Sequence, residues 1–103
     1  MPDGLSQQTI DRLSQLFARH RQITEVILYG SRAKGNFSEG SDIDLTIKGE
    51  SLDFTLLQQL NREIDDLLLP WMVDLSLFES LKNEALIDHI QRMGISIYRK
   101  QQP

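Results

Sequence analysis

Three aspartates carry the chemical promise of this sequence: Asp42 and Asp44, separated by one residue, and Asp74, alone in the apolar run WMVDLSLF at 71–78. Residues 42–48 (DIDLTIK) alternate with a period of two, which predicts a strand with Asp42, Asp44 and Thr46 on one face and Ile43, Leu45 and Ile47 on the other. The two Cα atoms would then lie about 6.6 Å apart at the usual rise of a strand. Bare carboxylates at that spacing repel, and one takes up a proton unless a divalent cation neutralises the pair. Magnesium suits such a site, because it prefers a few carboxylates, waters and substrate phosphates. Asp74 between Val73 and Leu75 is costly in a buried strand without a partner. A metal shared with Asp44 would supply one, and three carboxylates suffice for two ions about 3.5–4 Å apart.

The second half of the constellation precedes the pair. Gly30-Ser31 ends an apolar run, and ten residues separate Ser31 from Asp42. Gly30 lets the backbone approach a ligand closely. Ser31 offers a hydroxyl and starts a helical turn whose free N–H groups favour anions. Arg32 and Lys34 add local positive charge. Together these residues suit the β and γ phosphates of a nucleoside triphosphate, an arrangement for phosphoryl or nucleotidyl transfer. Each piece alone has a plainer reading. Gly-Ser after a strand is a common turn, Ser-Asp a common cap, and Arg32 and Lys34 ordinary solvated charges. The combination and its spacing favour the site. His20 and His89 each stand alone on a helix, without a partner at ligand spacing, and read as structural or exposed. Tyr29 and Trp71 read as core or pocket wall.

Positioning these groups requires a small α/β (α+β) domain. Residues 5–20 predict an amphipathic helix capped by Ser6, with Ile10, Leu13, Leu16 and Phe17 inward. Residues 24–29 (TEVILY) predict a buried strand, 32–35 a helical turn closed by Gly35, and 36–41 a loop. Asp53 or Ser51 caps a helix that runs to about Leu68, with Leu57, Leu60, Ile64 and Leu67 inward, and Pro70 stops it. Residues 71–78 form a strand. Ser80 caps a last helix through Met93, with Leu86, Ile90 and Met93 buried and Gly94 as its left-handed end; residues 95–99 form a final strand. The order is α-β-(short α)-β-α-β-α-β. The helical crossover makes the second and third strands parallel, while the short connection makes the first and second antiparallel. The result is a small mixed β-sheet with helices packed on it, in which Asp74 starts beside Asp42 and Asp44.

At 103 residues the expectation is a single domain over 1–103. The absence of cysteine excludes disulfides and thiolate metal sites and fits a cytoplasmic location. No apolar run reaches the length of a membrane span, and residues 1–8 (MPDGLSQQ) lack the features of a secretory signal. The net charge of −4 argues against direct nucleic-acid binding, so any phosphate contact is local.

Gly30-Ser31, ten residues, then Asp42-Ile43-Asp44, with a later Asp74 in a short apolar strand, resembles the signature of the polymerase-β-like nucleotidyltransferase superfamily. The small size resembles its minimal nucleotidyltransferases, the MNT proteins. The resemblance implies the polymerase-β-like fold. It implies that Asp42 and Asp44 bind two Mg2+ ions, that Asp74 is a metal ligand and base, and that Gly30 and Ser31 hold the triphosphate. Arg32 and Lys34 are secondary candidates that the motif does not fix. The implied reaction moves AMP from ATP to an acceptor hydroxyl. Such proteins are often encoded beside a helical HEPN protein that resembles a ribonuclease toxin. The MNT member acts as antitoxin, in some systems by adenylylating a toxin tyrosine. Two alternatives stay open: a binding subunit that neutralises its partner by contact with nucleotide as a structural ligand, and a transferase acting on a small molecule such as an antibiotic. A homodimer could supply the second substrate site in the latter case.

Overall fold

The computed structural model describes residues 5–35 and 40–101. Helix α1 (Gln7–Ala18) begins where the Ser6 side chain accepts from the Thr9 N–H, and it buries Ile10, Leu13, Leu16 and Phe17 as the periodicity predicts. Strand β1 (Ile23–Tyr29) follows, then the single turn α2 (Ser31–Lys34), closed by Gly35 in the left-handed region at φ 84°. Strand β2 (Ile43–Gly49) begins one residue after Asp42. Asp53, through a side-chain bond to the Leu56 N–H, caps α3 (Phe54–Asp65). Strand β3 (Val73–Leu77), the 3-10 turn Phe78–Ser80, helix α4 (Glu84–Met93) and strand β4 (Ile95–Arg99) complete the order. Part of the expected 36–41 loop, residues 36–39, lies outside the described residues.

The sheet order is β3-β2-β1-β4. β1 pairs antiparallel with β2 and with β4, whereas β2 and β3 are parallel, as the connections predict. One face carries the main core: Val26, Leu28, Ile43, Leu45 and Ile47 of the sheet pack with Leu13, Phe17 and Leu60 of α1 and α3. On the other face Ile27 and Tyr29 of β1 pack against Ile90 of α4. The remainder of that face, over β2 and β3, is given to Asp44, Thr46, Asp74 and Ser76, which alternate with the core residues. No helix among the described residues is long and apolar enough to cross a membrane.

Several boundaries differ from the sequence expectation. α3 ends at Asp65, five residues before Pro70, so proline is not what stops it; Leu68 then takes φ 55° and stands 86% exposed. Leu56 joins Leu60 and Ile64 on the buried face of α3, while Leu57 and Leu67 are only half-buried. Asn83, not Ser80, caps α4 through the Leu86 N–H, because the chain first makes the 3-10 turn. Met93 is 45% exposed rather than buried. Gly94 is extended (φ −64°, ψ 147°) and not left-handed. It is needed for space, because a Cβ there would strike the Ile90 carbonyl oxygen and the Ile27 side chain.

Candidate functional site

The parallel register sets Asp44 directly across from Asp74, and the antiparallel register sets Tyr29 across from Asp44 on its other side. The Ile43 N–H donates to the Met72 carbonyl at 2.8 Å, which locks the entry of β2 to that of β3. Asp42 and Asp74 are exposed and Asp44 is half-buried. Burial first, then the neighbouring charges of Asp74 and Asp42, push the Asp44 carboxyl above the ordinary aspartate range. Asp44 thus lies within the field of the other two carboxylates. As placed, no group of three acidic, His or Cys side chains among the described residues closes on a single metal position. The donor set nonetheless fits hard divalent cations, because it offers only carboxylate oxygens, whose mutual repulsion acts on Asp44.

Gly30 opens the turn beside Asp44. Its φ of 78° and ψ of −152° lie where a side chain is strained, and a Cβ there would run into Asp44 Oδ2. The Gly30 carbonyl accepts from the Lys34 N–H at 3.1 Å, and the Ser31 carbonyl from the Gly35 N–H at 3.0 Å, which fixes α2 at both ends. The Gly30 N–H donates to His89 Nε2 of α4 at 2.9 Å, and the His89 ring meets Tyr29 edge-on, with centroids 6.4 Å apart. Ser31 is half-buried and Lys34 exposed.

Arg32 does not stand in solvent. It is 1% exposed, and its Nε and Nη2 donate to the Ser41 carbonyl at 3.2 and 2.9 Å. Its guanidinium also lies 5.3 Å from the centre of the Trp71 ring. One side chain thus joins the Gly30 turn, the segment that leads into β2 and the segment that leads into β3. Behind the carboxylates, Ser76 Oγ and the fully buried Thr46 Oγ1 are 3.0 Å apart, and Ser76 Oγ also donates to the Leu45 carbonyl at 3.5 Å. Burial chiefly, with the Asp44 and Asp74 charges, raises the Tyr29 phenol, while the nearby Ser76 hydroxyl acts in the opposite direction.

The structure therefore brings Gly30, Ser31, Asp42, Asp44 and Asp74 to one end of the open sheet face and turns Arg32 inward beneath them. His20 is structural, as expected: its Nε2 lies 3.0 Å from Glu63 Oε1 and ties the end of α1 to α3. His89 is what sequence reasoning missed. It lies 59 residues from Gly30, and only the packing of α4 on β1 joins them, so no spacing rule points to it. A cleft of about 480 Å³ between α1 and the end of α3, lined by Arg12, Leu16, Arg19 and Leu67, lies away from these groups. The carboxylates occupy an exposed end of the sheet face.

A family model described as polymerase beta, nucleotidyltransferase matches residues 11–103. No curated protein matches the chain. Among solved structures, a toxin–antitoxin complex with AMP-PNP is similar at 22% identity and a TM-score of 0.70, over 89% of this chain and 74% of that one. A toxin–antitoxin MntA–HepT complex is similar at 18% identity and a TM-score of 0.68, over 92% and 74%. At these identities the likeness is one of fold. The match in sequence takes in the Gly30 turn, both strands that carry aspartates and α4, and by it the chain belongs to the polymerase-β nucleotidyltransferase family.

Proposed function

We propose that the chain moves AMP from ATP to a hydroxyl of a protein partner, a tyrosine of a helical HEPN-type toxin, and so serves as the antitoxin. The observation that carries this reading is the register of Asp44 against Asp74, with Gly30 seated on the Asp44 carboxylate. The similar structures support the donor and the partner, one being a toxin–antitoxin complex with AMP-PNP and another the MntA–HepT pair.

In this reading Asp42, Asp44 and Asp74 would hold two magnesium ions, which would supply charge neutralisation for the triphosphate and for the leaving pyrophosphate. Gly30 and Ser31 present the turn to the β and γ phosphates, and Lys34 at its exposed end adds positive charge. Arg32 contributes by holding the Ser41 carbonyl, which fixes Asp42 relative to the turn. Asp74, exposed on the edge strand, takes the proton of the acceptor hydroxyl. The acceptor oxygen bonds to the α phosphorus as the bond to the bridging oxygen breaks, and the pyrophosphate leaves with that electron pair. The exposed end of the face at Asp42 and Asp74 leaves the acceptor side to the partner.

The test uses the chain co-purified with its toxin and ATP labelled in the α phosphate. Label should enter the toxin and vanish in the Asp42→Asn, Asp44→Asn double variant; labelling that persists there sinks the proposal. Asp74→Asn separates enzyme from contact inhibitor, because a subunit that neutralises by covering its partner keeps doing so without that carboxylate.

A further inference from the structure

We infer that His89 is a positioning residue for the nucleotide-binding turn: its Nε2 holds the Gly30 N–H and thereby sets the orientation in which the turn meets the triphosphate. This rests on the functional reading above and adds to it a residue from a helix that carries none of the motif.

The geometry of the Gly30 peptide carries the inference. Its N–H is held by His89 at 2.9 Å and its C=O by the Lys34 N–H at 3.1 Å. Its Cα faces the Asp44 carboxylate across a space that a Cβ could not occupy. Glycine is the residue with most rotational freedom, so a glycine that must present one face to a ligand has to be restrained by its surroundings. Two of the restraints, the Lys34 bond and the Asp44 contact, come from the motif's own segment. The third comes from α4. That helix is anchored at the next residue: Ile90 is 2% exposed and packs on Ile27 and Tyr29 of β1. The His89 ring in turn rests edge-on against Tyr29 at an interplanar angle of 71°. The imidazole is therefore held by its anchored helix and by one ring contact before it accepts the bond. To accept at Nε2, a neutral ring must carry its proton at Nδ1.

The wild-type protein tests the bond directly. Nitrogen NMR of His89 should show the Nδ1–H tautomer, and the Gly30 amide should exchange slowly; an Nε2–H tautomer overturns the inference. Two substitutions test its consequence. His89→Phe keeps a ring against Tyr29 but removes the acceptor, whereas His89→Gln places an amide oxygen near the Nε2 position. Magnesium ATP binding by calorimetry should weaken about three- to tenfold in His89→Phe, the equivalent of one neutral hydrogen bond. The KM for ATP should rise with it, kcat changing less, and His89→Gln should return both to within about twofold of wild type, a margin smaller than one such bond. Equal binding by wild type and His89→Phe overturns the inference and leaves the enzyme reading intact, as does a Gln variant as impaired as Phe, which marks a packing role. Failure of the wild type itself to bind magnesium ATP removes the enzyme reading and the inference with it. If His89→Phe does not fold, the tautomer and the Gly30 exchange rate still decide.

Discussion

Asp44 is the residue on which the others press. Its carboxyl is pushed up by burial first and then by Asp74 and Asp42, so the native state holds its proton more tightly than the unfolded chain does. The stability linked to this group is fully present below the unfolded aspartate pKa and is lost as pH rises through the raised native value. At neutral pH the ionised side chain is therefore a net cost in the metal-free protein. Asp44→Asn should raise the thermal midpoint there, by a few degrees at most, while abolishing nucleotide transfer; calorimetry in chelator across the acidic range checks both sign and window. Gly30→Ala should do the opposite, costing about 1–3 kcal/mol through strained φ and the collision with Asp44, with loss of ATP binding in the same titration. Arg32→Lys should cost about 1.5–3 kcal/mol in denaturant unfolding, because an ammonium cannot reproduce the forked pair of bonds to the Ser41 carbonyl while staying against the Trp71 ring. The aspartates and the Gly-Ser turn were legible because spacing within a strand and a turn is local information. The inward turn of Arg32 and the reach of His89 were not, because each depends on segments that meet only in the fold. A charged residue in a loop-like stretch reads as solvated unless the chain around it is known.

Among the elements, helix starts at Ser6 and Asp53 were readable from one capping side chain each. The end of α3 was not. Nothing in the run DLLLP announces a stop at Asp65, and Pro70 drew the expected boundary outward. The structure breaks the helix earlier, with Leu68 at φ 55° and its side chain in solvent, so that the chain can turn back into β3. That position carries strain without burial in return. Leu68→Asn should raise stability by about 0.5–1 kcal/mol, since asparagine accepts the left-handed region more readily; a shift of the urea midpoint at unchanged slope is the check. Gly94 shows the opposite limit of sequence reading. A glycine after a helix suggests a left-handed end, yet this one serves the close approach of α4 to Ile27.

For the whole molecule, the pairing of strands was the most legible feature. A helical crossover demanded a parallel pair and a short link an antiparallel one, and together they put Asp74 opposite Asp44. Binding of magnesium with ATP should therefore act on the entire fold. The thermal midpoint should climb with ligand concentration by simple mass action in the wild type and stay flat in the Asp42→Asn, Asp44→Asn double variant. The position of β4 reaches further, into the making of the protein. Arg99 pairs with Glu25 across 74 residues, so β1 has its second neighbour only when the last strand arrives. On the ribosome, β1, β2 and β3 emerge first and can bring the aspartates together while the other edge of β1 is still bare. During that interval the nascent chain offers an open strand to any neighbour, and synthesis that stalls before residue 95 would release a template for aggregation rather than a partial enzyme.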